Sequence, residues 1–171
     1  ISEFNVDAVV NTGVAGAIHS SLDVNDIVIS TEAIQYDVDA TAFGYAKGQI
    51  PQMENSVFEA NEILINAAYE SSLDQVKDKG FKIVKGRVAT GDIFISSKEL
   101  KEELENDFKA YCGEMEGGAI AHACYLNNIP FVIIRAMSDK ADGSADVTYD
   151  EFVVEAAENS KDIVLKMLRA L

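Results

Sequence analysis

The chain has 171 residues, 48% of them hydrophobic and 25% charged, the proportions of a globular domain rather than a disordered segment. With 29 acidic and 14 basic side chains its formal charge is −15, a field that repels phosphate backbones and anionic lipid and so argues against nucleic-acid and membrane-surface roles. No apolar run approaches the ~20 residues of a membrane span, and two cysteines make no disulfide framework, which fits a reducing, cytoplasmic setting.

The chain opens Ile1-Ser2-Glu3-Phe4, with neither a Met nor a signal core, so a processed start or a fragment of something longer is expected. Val6 to Asn11 is a β-branched apolar run that predicts a buried strand, closed by Thr12-Gly13, with Gly13 and Gly16 bracketing a tight loop. Asp26 to Ala33 alternates as a second strand. Residues 34–56, with Gly44, Gly48 and Pro51, predict a long irregular excursion whose aromatics Tyr36, Phe43 and Tyr45 favour a functional role. A helix is expected over 57–78, stopped by Gly80, then a strand from Lys82 to Thr90 closed by Gly91-Asp92. Lys98 to Phe108 reads as a charged surface helix and Gly117 to Asn127 as a closely packed small-residue helix. Pro130 to Met137 is the strongest strand signal. Thr148 to Leu171 predicts a final amphipathic helix, with a Thr148/Glu151 capping box and Leu168 among its apolar positions.

Strands alternating with helices give one α/β domain over 1–171 with a largely parallel sheet. Ligands of such sheets bind beyond the carboxyl ends of the strands. That rule selects Thr12–Gly16, Thr90–Ser96, Glu114–Gly117 and Ser138–Asp142. Asp139 ends the best strand, where a partly desolvated carboxyl suits general-acid work, although a turn-capping role fits the same position. Arg135, inside that strand, needs an anionic partner if buried, and Glu114 can supply it. Glu114 and Glu116 share a face if extended, so both carboxylates can enter one pocket and accept vicinal hydroxyls; the alternative is that they answer the dipole of the helix that follows. His19, His122, Cys112 and Cys124 form no metal signature, the cysteines read as inert core thiols, and no G-x-S-x-G elbow is present.

Five segments taken together carry a resemblance: NTGVAGA (11–17), DVDATAFGYAKGQIP (37–51), ATGDIFIS (89–96), GEMEGGAIAHAC (113–124) and PFVIIRAMSDKAD (130–142). In order and spacing they resemble the bacterial 5′-methylthioadenosine/S-adenosylhomocysteine nucleosidases of the purine nucleoside phosphorylase superfamily. The resemblance implies a three-layer α/β/α fold with a mixed, largely parallel central sheet, and hydrolysis of the N-glycosidic bond of adenine thionucleosides. It implies no cofactor and no metal. It casts Asp139 as the acid that protonates adenine N7, helped by Ser138, and Glu116 as the clasp on the ribose hydroxyls with Met115 against the sugar. Phe94 resembles the ring that stacks on adenine, Ile95 the residue whose backbone reads the base edge, and Tyr149 the aromatic closing the 5′-substituent pocket. Ala15 and Gly16 would border the substrate. Arg135 and Glu114 would stand around the nucleophilic water, and Phe43 and Pro51 would reach the neighbouring site of a homodimer.

Two departures qualify this. Family members begin with strands and a loop bearing the glutamate that activates water; nothing like it stands here, so these 171 residues alone are expected to lack the first strands and to be inactive or badly impaired. Val14 stands where phosphorylase relatives carry a phosphate-holding hydroxyl, which favours water over phosphate as nucleophile. The competing expectations are a phosphate-dependent nucleoside phosphorylase and a catalytically impaired nucleoside-binding fragment.

Overall fold

A computed structural model describes residue 1, residues 3–141 and residues 145–171, with the side chains of residues 74–79 and 145–151 outside the described set. Every residue of the strand Phe131–Asp139 is buried. It lies between two others: Val9–Ala17 runs parallel to it, and Ile27–Gln35 meets it antiparallel on the other edge. In chain order the strands are β1 (Val9–Ala17), β2 (Ile27–Gln35), β3 (Val57–Glu59), β4 (Ile83–Thr90), β5 (Ala110–Glu114) and β6 (Phe131–Asp139). The helices are α1 (Glu62–Lys79), α2 (Lys98–Asn106), α3 (Gly117–Leu126) and α4 (Ala145–Ala170).

The sheet order is β3-β2-β4-β5-β1-β6, with β2 also paired to β6, so five of the strands close into a ring. Its long ladders, β1 with β6 and β2 with β4, are parallel, while the short pairings β1–β5, β2–β3 and β2–β6 are antiparallel. At the seam, Met137 N–H donates to the Asp26 carbonyl and Asn25 N–H to the Met137 carbonyl, both at 2.8 Å. The buried Asp26 carboxylate holds the approach to β2 by accepting from the N–H groups of Asp23 and Lys82, also at 2.8 Å. Helices α1 and α4 pack together, α4 against β6 and β1, while α3 packs against β4 and β2 and α2 against β5. Ile163, Met167 and Ala156 of α4 are buried with Ile133 and Ile134 in the main core, whereas Leu168 is exposed. No helix among the described residues is long and apolar enough to cross a membrane.

Several boundaries differ from the sequence reading. The strand expected over 6–11 begins at Val9 and runs through Gly13 and Gly16 to Ala17, so those glycines sit in a strand rather than around a tight loop. The reason is what lies across them: a Cβ on Gly13 would stand 2.1 Å from Arg135 Nη1, and one on Gly16 would stand 2.8 Å from Ala141 Cβ and 3.0 Å from Asp139 Oδ1. The helix expected from 57 begins at Glu62, because Val57–Glu59 pairs antiparallel with β2 and buries Phe58. Asn61 then caps α1, its Oδ1 accepting from Ile63 and Leu64 N–H at 3.0 and 3.2 Å. Strand β5 is foreseen in the sequence only as an extended segment entering the helix at Glu114–Glu116, without bounds of its own. The last helix starts at Ala145, ahead of Thr148, and the Thr148/Glu151 capping box falls on side chains outside the described residues.

Candidate active site

The site is set by one irregularity. Parallel pairing of β1 with β6 runs in step from Val9↔Phe131 to Ala15↔Met137, then shifts so that Gly16 opposes Asp139 and Ser138 is passed over. A bulge of this kind re-aims side chains at a sheet's rim, and here it brings Ser138 and Asp139 to the carboxyl end of β6 against the glycine that leaves them space. Asp139 is buried, with Oδ2 accepting from the Ser138 hydroxyl at 2.8 Å and Oδ1 from Ala141 N–H at 2.7 Å. Ser138 Oγ also lies 3.4 Å from the Ala15 carbonyl. Its hydroxyl therefore has a second acceptor to turn to when Asp139 carries a proton on Oδ2, and can then receive that proton's hydrogen bond.

Opposite stand the two glutamates, and the structure separates their roles. Glu114 ends β5 with a side chain only 2% exposed, bonded to the Arg135 guanidinium; its Oε2 also accepts from Gly117 N–H at 2.7 Å and Glu116 N–H at 3.2 Å. It is Glu114, reaching forward, that satisfies the free N–H groups at the start of α3. Glu116 occupies the N-cap position yet its side chain makes no capping bond. Its carboxylate is 64% exposed and touches Arg135 at 3.4 Å. Arg135, 4% exposed, also donates to Asn11 Oδ1 at 2.8 Å, so the charge inside β6 has the anionic partner its burial requires.

Between these groups lies a cavity of about 320 Å³, lined by Val14, Ala15, Gly16, Ile93, Phe94, Ile95, Gly113, Glu114, Met115, Glu116, Ser138 and Asp139. That volume suits one small organic ligand. Phe94 and Met115 are large apolar side chains left 45% and 42% exposed at its edge. The 91–95 loop is braced from behind: Tyr36, buried, donates from its hydroxyl to the Ile93 carbonyl at 3.4 Å, and Asp37 accepts from Asp92 N–H at 2.9 Å.

Nine of the sequence-selected residues thus share one cavity, with Arg135 directly behind it. Phe43 and Pro51 do not line it; both are exposed, Phe43 at 84% on the 3₁₀ turn Thr41–Phe43. The Tyr149 side chain lies outside the described residues. His122 is packed, stacked on Phe58 at 4.9 Å and paired with Gln35, and Cys112 and Cys124 are buried. Sequence reasoning gave no role to Ile93, Gly113 or Thr90, although all three lie inside segments it singled out; that Thr90 stands opposite Glu114 shows only once β4 and β5 are paired.

The chain matches the phosphorylase superfamily over residues 1–169. A 5′-methylthioadenosine/S-adenosylhomocysteine nucleosidase of Staphylococcus carnosus is 45% identical over 172 residues, covering 100% of this chain and 73% of the relative. This chain belongs to that nucleosidase family. Among solved structures, the Neisseria meningitidis nucleosidase in complex with methylthio-immucillin-A is 43% identical with a TM-score of 0.91, covering 100% of this chain and 73% of that one. The futalosine hydrolase of Helicobacter pylori, 34% identical, has a TM-score of 0.90 over 98% of this chain and 70% of its own. The Neisseria nucleosidase and the futalosine hydrolase therefore share this chain's fold.

Proposed function

We propose that the natural protein carrying these residues hydrolyses the N-glycosidic bond of 5′-methylthioadenosine and S-adenosylhomocysteine, and of 5′-deoxyadenosine, releasing adenine and the 5-substituted ribose in methionine salvage and the activated methyl cycle. The observation that carries the reading is the convergence of a buried, hydroxyl-supported Asp139 and a largely exposed Glu116, which caps no helix N–H, on one apolar-edged cavity. Adenine leaves poorly as an anion, so Asp139 donates a proton to the base as the C–N bond breaks, and the Ser138 hydroxyl turns between Asp139 and the Ala15 carbonyl to suit either state. A positioned acid of this kind contributes roughly 10²–10⁴-fold. The sugar becomes oxocarbenium-like, its hydroxyls become better donors, and Glu116 accepts from them most strongly at that point. Phe94 covers the base, Ile95 reads its edge, Met115 and Gly16 border the sugar, and Tyr149 closes over the 5′-substituent. Arg135 and Glu114 stand around the attacking water.

Water is the nucleophile on this reading because Val14 presents an isopropyl group where a phosphate would need a donor. Phe43 and Pro51, exposed and away from the cavity, reach the neighbouring site in a homodimer. The setting is the cytoplasm, where two free cysteines stay reduced.

The test is adenine release from 5′-methylthioadenosine by the natural protein that carries these residues, with and without phosphate, beside an Asp139→Asn variant. Release independent of phosphate, falling by at least about 100-fold in the variant, is expected. Release that requires phosphate would establish a phosphorylase instead. Tight binding of methylthio-immucillin-A without any release would mark a nucleoside-binding module.

A further inference from the structure

Thr90 ends β4 and stands opposite Glu114 in the parallel register of β4 and β5. It is 4% exposed and outside the cavity lining, so no ligand would touch it. Its hydroxyl oxygen accepts from Gly118 N–H at 2.6 Å. An oxygen receiving that hydrogen turns its own hydrogen elsewhere, and Glu114 Oε1 is the acceptor in reach. The far oxygen of the same carboxylate takes Arg135 and the N–H groups of Gly117 and Glu116. Glu114 is therefore enclosed by donors on both oxygens, and Thr90 is the donor that fixes the side facing away from Arg135.

That arrangement decides which glutamate answers the guanidinium. Arg135 has two carboxylates in reach: Glu114, which it meets closely, and Glu116 at 3.4 Å. While Glu114 is locked against Arg135, the charge is answered mainly from inside the protein, and Glu116, touching Arg135 through Oε2 alone, keeps its other carboxylate oxygen for a ligand. We propose that Thr90 is a positioning residue of the reaction: it holds Glu114 on Arg135 and the first turn of α3 in place, so that Glu116 remains free to accept the ribose hydroxyls. The inference rests on the nucleosidase reading for the role of Glu116. Without the Thr90 hydroxyl, Gly118 N–H and Glu114 Oε1 lose their partner in a buried place, where such groups are costly to leave unpaired. Glu114 gains freedom to turn, and Arg135 draws Glu116 back from the cavity. The loss falls on the transition state, where the ribose hydroxyls donate most strongly.

The experiment measures kcat and KM for adenine release from 5′-methylthioadenosine, and the Kd of methylthio-immucillin-A, in the natural protein and its Thr90→Val and Thr90→Ser variants. Val matches the shape of Thr without the hydroxyl, and Ser keeps the hydroxyl without the methyl. Thr90→Val is expected to lower kcat roughly 10- to 100-fold, the scale of one charge-assisted hydrogen bond, with KM changed by less than about threefold. Thr90→Ser is expected to stay within about threefold of the natural kcat. The reverse order, with Val unaffected and Ser impaired, would show that Thr90 only packs and would overturn the proposal, as would a Val variant with natural kcat. Should the Val variant fail to fold, the Ser variant decides alone: natural kcat supports the hydroxyl's role and a loss beyond about tenfold refutes it. If the natural protein binds the analogue but releases no adenine, the nucleosidase reading fails by itself. The Thr90 proposal is then judged on Kd, weakened at least about tenfold in Val and unchanged in Ser if correct, and equal in all three if wrong. A natural protein that neither releases adenine nor binds the analogue overturns both.

Discussion

At the scale of single residues, the site depends on what is missing from β1 as much as on what β6 presents. Gly13 lies under the Arg135 guanidinium, 2.1 Å from where its Cβ would be, and that guanidinium connects Asn11, Glu114 and Glu116. A Gly13→Ala substitution is expected to displace Arg135 rather than the strand, costing about 1–3 kcal/mol by overpacking and lowering adenine release out of proportion to the loss of stability. Thermal melting together with kcat checks it, and a variant as active and as stable as the natural protein would refute it. Much of the cavity was legible at this scale, since Asp139, Glu116 and Phe94 stand in distinctive short segments at strand ends. Spacing left Glu114 and Glu116 equivalent. What separates them is three-dimensional: the N–H groups of Gly117 and Glu116 fall to the Glu114 carboxylate, and the Glu116 side chain caps nothing.

At the scale of elements, β2, β4 and β6 were the readable strands. Pro130–Met137 and Lys82–Thr90 match β6 and β4 to within two residues: every residue of β6 is buried, which favours its apolar run, whereas β4 carries Lys85, Gly86 and Arg87 and is marked by the Gly91 that follows it. Val57–Glu59 misled because three apolar-polar residues before a helix satisfy either period, and only the pairing with β2 decides. Asn61 was the available signal for the boundary. Replacing it with Ala should destabilise the fold by about 1 kcal/mol through the loss of the α1 cap, with KM for the nucleoside unchanged, as read by denaturant melts beside kinetics. Strand β5 is hard to bound for a different reason. It has five residues, includes Gly113, and follows Lys109 at a positive φ of 55°, so neither length nor alternation announces it.

At the scale of the whole molecule, closure of the strands into a ring ties distant parts of the chain into one unit, and the two thiols report on it. Cys112 lies on β5 inside the ring and Cys124 on α3 against it, with exposures of 0% and 1%. Burial pushes both thiols up from their ordinary range, the Glu114 charge adding to the effect at Cys112, so at neutral pH the reactive thiolate is scarce in the folded state. Both cysteines are expected to react with an aromatic disulfide reagent in a single phase whose rate follows global unfolding in urea. A fast phase in native buffer, titrating one thiol, would show that α3 opens separately from the ring.

The pairing of Arg135 with Glu114 has a consequence for which chemical species the crevice admits. Those two charges cancel, so what the cavity wall presents to a visitor is the remaining Glu116 carboxylate, joined by Asp139 whenever it is ionised, with no cationic side chain among the described lining residues. The surrounding chain, at a formal −15, deepens the same potential. An anion such as inorganic phosphate must enter uphill against that field, while a sugar ring gathering positive charge at its anomeric carbon is held by it. The wall thus sorts nucleophile and intermediate by sign of charge before any specific contact is made.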